Sequence, residues 1–309
     1  MTQLTGRVLA AYLTVCLIWG STYLAIRIGV EHLPPAIFGG IRFLTAGLVL
    51  LGVALVLGRR LPRRRSDWTT AAIVGVLLLG IGNGLVIWAE QFVESSVAAI
   101  LVVTGALWMA VLDAVIPGSE SRPTWRQFAA LLLGFAGTVW LVGSSVVGLT
   151  EGGVLGPLAV VAASFSWALG SIYSKRHPVE TAPYVHAALQ MLAGGALLAA
   201  VGLVQGEAGR VEVSRPGLGA LLYLIVFGSI VAYTAYVYLL KHAVPSFIGT
   251  HVYVNTIVAV LLGWAILSEQ VTVRTFLAMS VILVSVVWVR RETRLSIRKA
   301  LPLAAEEPA

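Results

Sequence analysis

Arg42 is the residue whose placement most demands a chemical explanation. It stands in an apolar run seven residues past Pro35, roughly 10 Å along a helix at 1.5 Å per residue. A guanidinium at that depth in hydrocarbon must face a cavity or an interior partner. Two partners suit it: the carboxylate of Glu90, giving a possible ion pair Arg42–Glu90, or the carboxylate of a small molecule. His251 and Asn255 are four residues apart and so share one helix face. Trp19 and Tyr23 share a face in the same way, as do Trp167 and Ser171. Asn83, Gln190 and Tyr233 are further polar groups in apolar surroundings. Taken singly, these residues read as interhelical hydrogen bonds and packing. Taken as a set, they would line a cavity with aromatic walls and few polar groups, the usual make-up of a small-molecule site. His251 titrates near neutral pH and is also a candidate proton relay, although a lone membrane histidine reads first as a satisfied donor. Asp113 is expected at an interface, and Glu120 and Glu269 as groups that cap or tether neighbouring loops.

Catalytic sets are missing from the sequence. There is no His-Glu-x-x-His, no Gly-x-Ser-x-Gly and no pair of intramembrane aspartates. The five histidines, at 32, 177, 186, 242 and 251, never fall at metal-ligand spacing, and Cys16 is the only cysteine. Neither an enzyme, a metal site nor a cofactor is expected.

The elements that would position these residues follow from composition. Of 309 residues, 58% are hydrophobic and 11% charged, and the mean hydropathy is +0.91. A water-soluble domain carries about 25% charged residues. In a bilayer the backbone must satisfy its own hydrogen bonds, which leaves helices or a closed barrel. Continuous apolar runs, such as Leu48–Leu57 and Ala278–Val289, exclude the alternation of barrel strands. We read ten transmembrane helices, at about 9–29, 35–57, 69–89, 95–116, 125–146, 154–174, 182–204, 217–240, 246–267 and 271–290, each near the length needed to span a bilayer core. Several begin at proline or polar punctuation (Pro34-Pro35, Ser95-Ser96, Pro123-Thr124, Pro183, Pro216-Gly217, Pro245-Ser246), where a missing N–H does no harm.

The net charge of +7 and pI of 9.9 reflect topology and not a nucleic-acid partner. With both termini cytoplasmic, sixteen of the 21 lysines and arginines, including the run Arg59–Arg65, fall on the inner side and four on the outer, with Arg42 inside a span. That is the positive-inside bias. The expected location is the inner cell membrane, the expected partners are the lipid bilayer and a small-molecule substrate, and the expected state is a monomer or homodimer.

The chain also repeats itself. A shift of 148 places Trp19 on Trp167, Arg27 on Lys175, Pro35 on Pro183 and Arg42 on Gln190. A shift of 150 places Ser96 on Ser246 and Asn83 on Tyr233. Each half then holds five spans, at residues 1–149 and 150–292, followed by a tail at 293–309 expected to be disordered and cytoplasmic. Five is odd, so the halves enter the membrane from opposite sides. Inverted repeats of this kind recur in secondary transporters, with the substrate near the midplane. The expected function is a carrier working by alternating access. A channel or lipid-moving protein is the alternative, and a membrane enzyme a weaker one.

Specific motifs support this. Ile18-Trp19-Gly20-Ser21, Pro35, Arg42-Phe43, Glu90-Gln91, Ala98-Ala99-Ile100-Leu101 and Pro117-Gly118-Ser119-Glu120 occur in the first half. Ala168-Leu169-Gly170 and Leu267-Ser268-Glu269 occur in the second. Over residues 9–290 the chain resembles the EamA-type transporters of the drug/metabolite transporter superfamily. The resemblance implies export of amino acids or related amphipathic metabolites from the cytoplasm. It departs from the family pattern where a proline is usual midway along spans four and nine. Here those places hold Ala106 and Thr256.

Overall fold

The structure is a computed structural model that describes residues 6–115, 125–147, 153–242 and 251–300. The described residues form helices and connecting turns and include no strand. Helix α1 is Gly6–Val30 and α2 is Pro35–Val56. Helix α3 runs through three consecutive segments, Arg65–Gly75, Val76–Asn83 and Gly84–Ala89. Helices α4 and α5 are Ser95–Val102 and Gly105–Val115, and α6 is Trp125–Val147. Helices α7 and α8 are Leu155–Arg176 and Pro183–Val204. Helix α9 again has three segments, Arg215–Tyr223, Leu224–Val231 and Ala232–His242. Helices α10 and α11 are His251–Leu267 and Val273–Ala300.

Six of these, α1, α2, α3, α7, α8 and the stretch Arg215–Tyr236 of α9, are long and apolar enough to cross a membrane. Shorter apolar helices cover Ser95–Met109, His251–Leu267 and Val273–Val289. The protein is therefore a multi-pass membrane protein. Their outward faces carry Leu48, Val56, Trp125, Leu203 and Trp264, exposed as lipid-facing side chains are. The last helix continues to Ala300, so the segment from 293 expected to be disordered begins as an extension of α11. Residues 301–309 lie outside the described residues.

Local sequence explains the boundaries. Proline occupies the first turn of α2, α8 and α9, where it has no hydrogen bond to lose. The Ser214 hydroxyl accepts from Gly217 N at 3.2 Å and caps α9. The break between α4 and α5 falls at Val103–Thr104 and needs no proline. The chain there switches to tighter bonds, Thr104 N to Leu101 O and Leu107 N to Thr104 O, while the buried Thr104 hydroxyl donates to Leu101 O at 2.6 Å. In α10 the helix runs unbroken through Thr256, whose hydroxyl donates to Val252 O at 3.0 Å.

Packing joins the first half of the chain to the second. Helix α2 lies along α8, α6 along α11, α1 against α9 and α10, and α7 against α3, α4 and α5. The α2–α8 contact is backbone on backbone. A Cβ on Gly40 would stand 2.8 Å from Ala199 N, and one on Gly195 would stand 2.8 Å from Leu44 N. Only glycine permits that approach. Helices α2 and α8 begin at Pro35 and Pro183 and end at Val56 and Val204, the 148-residue offset seen in the sequence.

The same offset relates two segments that the sequence did not announce. Val76–Asn83 in α3 and Leu224–Val231 in α9 are both π-helical. A π turn widens the helix and leaves carbonyls free for side chains, which is why such turns gather at functional sites.

Candidate functional site

Two side chains from the first half of the chain bond to the α9 π segment at the centre of the bundle. Trp19 Nε1, from α1, donates to Gly228 O at 3.1 Å. Arg42 Nε, from α2, donates to the Ser229 hydroxyl at 3.1 Å. Gly228 lies beside the guanidinium, where a Cβ would stand 3.4 Å from an Arg42 nitrogen. Arg42 is 5% exposed, and its guanidinium carbon lies 4.6 Å from the Phe43 ring centroid, a cation–π contact. Its Nη1 has no hydrogen-bond partner. The π segment thus holds a buried guanidinium by one edge and leaves another donor unused.

One turn further on, α9 contributes Tyr233 and Tyr236. The Tyr236 ring lies 5.1 Å from Trp19 and 6.0 Å from His251, and Trp19 meets His251 edge-on at 5.4 Å. Tyr233 and Tyr236 are 6.3 Å apart. Asn255, on the His251 face of α10, reaches Cys16 O at 3.0 Å and His251 O at 2.9 Å when its amide is turned to donate. Of the residues singled out in the sequence, Trp19, Tyr233, His251 and Asn255 therefore come together, with Arg42 next to them on Ser229.

The others do not join this group. Asn83 donates to Leu78 O at 3.3 Å within the α3 π segment. Trp167 is 37% exposed and lies on α7 over Gly82. Ser171 bonds back to Trp167 O at 2.7 Å. Gln190 is buried where the backbone of α8 meets Gly75. Asn83, Trp167 and Gln190 lie in or beside the α3 π segment, and Ser166 on α7 donates to Leu77 O there at 2.7 Å. Tyr23 packs with the apolar cluster of α4, α7 and α11.

The possible ion pair Arg42–Glu90 does not close. Ion pairs among the described residues are Arg27–Glu31 at 3.1 Å and Arg64–Glu180 at 2.9 Å. Arg42 is committed to Ser229 and Phe43. Glu90 follows the last turn of α3, where Arg27 Nη1 donates to its backbone carbonyl and not to its carboxylate. Glu90 is 0% exposed, and neither carboxyl oxygen has a hydrogen-bond partner. An isolated ionised carboxylate in such a place costs several kcal/mol even after relaxation.

The end of the bundle that holds Glu90 is closed by carboxylates seated on helix N-termini. Glu269, after α10, is 7% exposed. Its Oε1 accepts from Ser95 N and the Ser95 hydroxyl, both at 2.7 Å, and its Oε2 from Ser96 N at 3.0 Å. These are the first amides of α4, which an anion stabilises through both hydrogen bonds and the helix dipole. Glu207, after α8, accepts from Ile37 N in the first turn of α2 at 2.8 Å. Both clamps join the second half of the chain to the first. The neighbouring Glu94 carboxyl, in the turn before α4, is held above the ordinary carboxylate range by burial and by the charge of Glu269. Glu120, the other expected tether, lies outside the described residues.

Sequence reasoning missed Tyr236, Ser229, Glu207 and the two π segments. Tyr236 had a signal, since it is three residues from Tyr233 and on the same helix face. Ser229 and the π turns had none, because a π turn is set by packing and not by a residue pattern.

The geometry can be set beside known proteins. Among relatives, an inner membrane transporter of Escherichia coli, YedA, is 38% identical over 93% of this chain and 90% of its own length; its name marks it as uncharacterised. The transporter YoaV of Bacillus subtilis, likewise named uncharacterised, is 23% identical over 88% of this chain and 92% of its own length. A solved crystal structure shares the fold with a TM-score of 0.62 and 21% identity, covering 96% of this chain and 100% of that one. The EamA-like transporter family matches residues 6–143 and again residues 154–291, which places one copy of the family unit in each half. The chain belongs to the EamA-like transporter family, in the drug/metabolite transporter superfamily, and is a membrane transporter.

Proposed function

We propose that the protein is a secondary carrier that exports small metabolites, amino acids or related amphipathic compounds, from the cytoplasm by alternating access. In this reading ten spans form two inverted five-helix repeats, residues 1–149 and 150–292. Helices α4 and α5 together make the fourth span. Both termini are cytoplasmic, the location is the inner membrane as in the name of the E. coli relative, and the Glu90 end faces outward.

The observation that carries the reading is Arg42, a buried guanidinium with an unused donor beside an aromatic group from α1, α9 and α10. A carboxylate suits that donor, and Trp19, Tyr233 and Tyr236 suit an apolar side chain. The packing of first-half helices on second-half helices supplies the means of movement, because rocking one repeat on the other closes one end while opening the other.

The test is ligand-dependent thermal stabilisation of the purified protein across a panel of amino acids and metabolites. A compound that raises the melting temperature of the wild type should fail to do so in Arg42→Leu and in Trp19→Ala. Equal stabilisation of all three proteins by the same compound would remove Arg42 and the aromatic group from the substrate site.

A further inference from the structure

Two buried groups of opposite sign lie in one region, and each has polar atoms without a partner. On Arg42 the atom is Nη1, and on Glu90 it is both carboxyl oxygens. Each side chain senses the charge of the other, yet they do not meet as an ion pair. Arg42 is turned to Ser229. Arg27, the other guanidinium within the field of Glu90, bonds Glu31 and the Glu90 backbone carbonyl. Buried polar groups without partners are costly, and each one needs a reason. An unused donor and an unused acceptor of opposite charge suit a ligand that carries both charges.

We propose that Glu90 is the ammonium site of the carrier, so that the substrate is a zwitterion, an α-amino acid, held by its carboxylate on Arg42 Nη1 and by its ammonium on Glu90. This rests on the reading of Arg42 as the carboxylate anchor and adds a second anchor to the same site.

The spacing fits. Helices α2 and α3 are antiparallel, and Ile87 stands 3.0 Å from a Cβ built on Gly39. From that contact Arg42 is three residues farther from the clamped end and Glu90 three residues nearer to it. Their backbones therefore differ in depth by about 9 Å at 1.5 Å per residue. Helix α1 gives a similar measure. Thr22 and an Arg42 nitrogen flank Gly228, at 3.1 and 3.4 Å from its Cβ position. Arg27, five residues on, meets the Glu90 carbonyl, a rise of roughly 7 Å. An α-amino acid holds its ammonium about 3 Å from its carboxylate oxygens. With a charge-assisted bond of about 2.8 Å at each end, the bridge spans about 8 Å.

The direction fits as well. Helix α9 starts at the clamped end, where Gly217 meets His32 and Leu33, and runs inward through Ser229 to Tyr233 and Tyr236. The aromatic group and Glu90 thus lie on opposite sides of Arg42. An amino acid anchored on Arg42 directs its ammonium to Glu90 and its side chain to Trp19 and Tyr236. Glu31, Glu94 and Glu269 share the clamped end with Arg27, so carboxyls outnumber guanidiniums there and an added cation is welcome. An ammonium carries three donors, and the Ser96 hydroxyl is a further buried oxygen toward this end without a partner.

Calorimetric titration of the purified protein tests the assignment. The probes are leucine, phenylalanine and threonine, each beside its N-acetyl derivative, which keeps the carboxylate and loses the ammonium. At least one free amino acid should bind the wild type, and its N-acetyl derivative should bind at least about a hundredfold more weakly. Glu90→Gln should weaken the free amino acid by a similar factor and leave the N-acetyl derivative unchanged, whereas a merely structural role would weaken both. Glu90→Asp keeps the charge on a shorter arm and serves if Glu90→Gln does not fold. Its preference should move toward the β-amino acid of the same side chain. Equal binding of both forms by the wild type, undiminished binding of the free form by Glu90→Gln, or an unmoved preference in Glu90→Asp would each overturn the assignment and leave Arg42 as the carboxylate anchor. Sodium that restores binding of the N-acetyl form would give Glu90 to a metal ion and overturn it too. Undiminished binding of both forms by Arg42→Leu would sink the carboxylate anchor and this inference with it, as would a wild type that binds none of the probes at millimolar concentration.

Discussion

Replacing Glu269 by glutamine tests whether the clamp on α4 holds one end of the bundle shut. The carboxylate accepts three bonds, at 2.7, 2.7 and 3.0 Å, from Ser95 and Ser96. Hydrogen bonds to a charged group are worth about 1.5–3 kcal/mol each, and a charge at a helix N-terminus about 0.3–2 kcal/mol. The amide keeps one acceptor oxygen but turns its NH2 toward the Ser96 N–H, and the losses do not simply add. A net loss of about 3 kcal/mol shifts the balance between closed and open roughly a hundredfold. Val93, 6% exposed and two residues before Ser95, is a suitable reporter. In a Cys16→Ala background, Val93→Cys should label slowly with a membrane-impermeant maleimide, and Glu269→Gln should raise that rate by one to two orders of magnitude. A melting temperature near that of the wild type would show that the gain is local opening. An unchanged labelling rate in a folded variant would mean that the clamp does not hold this end closed.

Further outcomes follow from the same packing. Arg42→Leu should abolish transport and Arg42→Lys should not restore it, because a compact ammonium lacks the planar fork that holds Ser229 through Nε while a terminal nitrogen faces a carboxylate; initial uptake rates in liposomes check both. Trp19→Ala should weaken substrate binding far more than Trp167→Ala, since only Trp19 belongs to the aromatic group, and an equal effect in binding titrations would contradict the placement of the site. Gly40→Val would put a side chain on the Ala199 backbone and should destabilise the protein by about 2–3 kcal/mol or prevent folding, read as a fall in melting temperature. Reporter tags at the two termini should both score as cytoplasmic.

The parts of this architecture that rest on local chemistry were legible in the sequence. Pro35 and Pro183 marked two helix starts 148 residues apart, and apolar length marked the long spans. Arg42 stood out because an intramembrane charge has few uses. Glu269 was readable as a tether, though not its partners, because the amides of Ser95 and Ser96 come from the other half of the chain. The expected equivalence of Trp19 and Trp167 holds along the chain but not in their surroundings. Trp19 meets an aromatic helix face on α9, whereas Trp167 lies over Gly82 on α3. Proline was also a poor guide to the break in span four. Thr104 makes that break by bonding its own preceding turn, a choice that packing decides. The Arg42–Glu90 pair is missing for a similar reason: depth in the membrane could be counted from the sequence, but not the bond that turns Arg42 to Ser229 on α9.

Counterflow in liposomes tests the central claim most directly. Vesicles holding the purified protein would be preloaded with one unlabelled compound at a time, from a panel of amino acids and metabolites, and diluted into a trace of the labelled form. A carrier with one central site exposed to each side in turn predicts transient accumulation of label above equilibrium for at least one compound, lost in Arg42→Leu. Equilibration of label without overshoot would contradict alternating access and identify a channel.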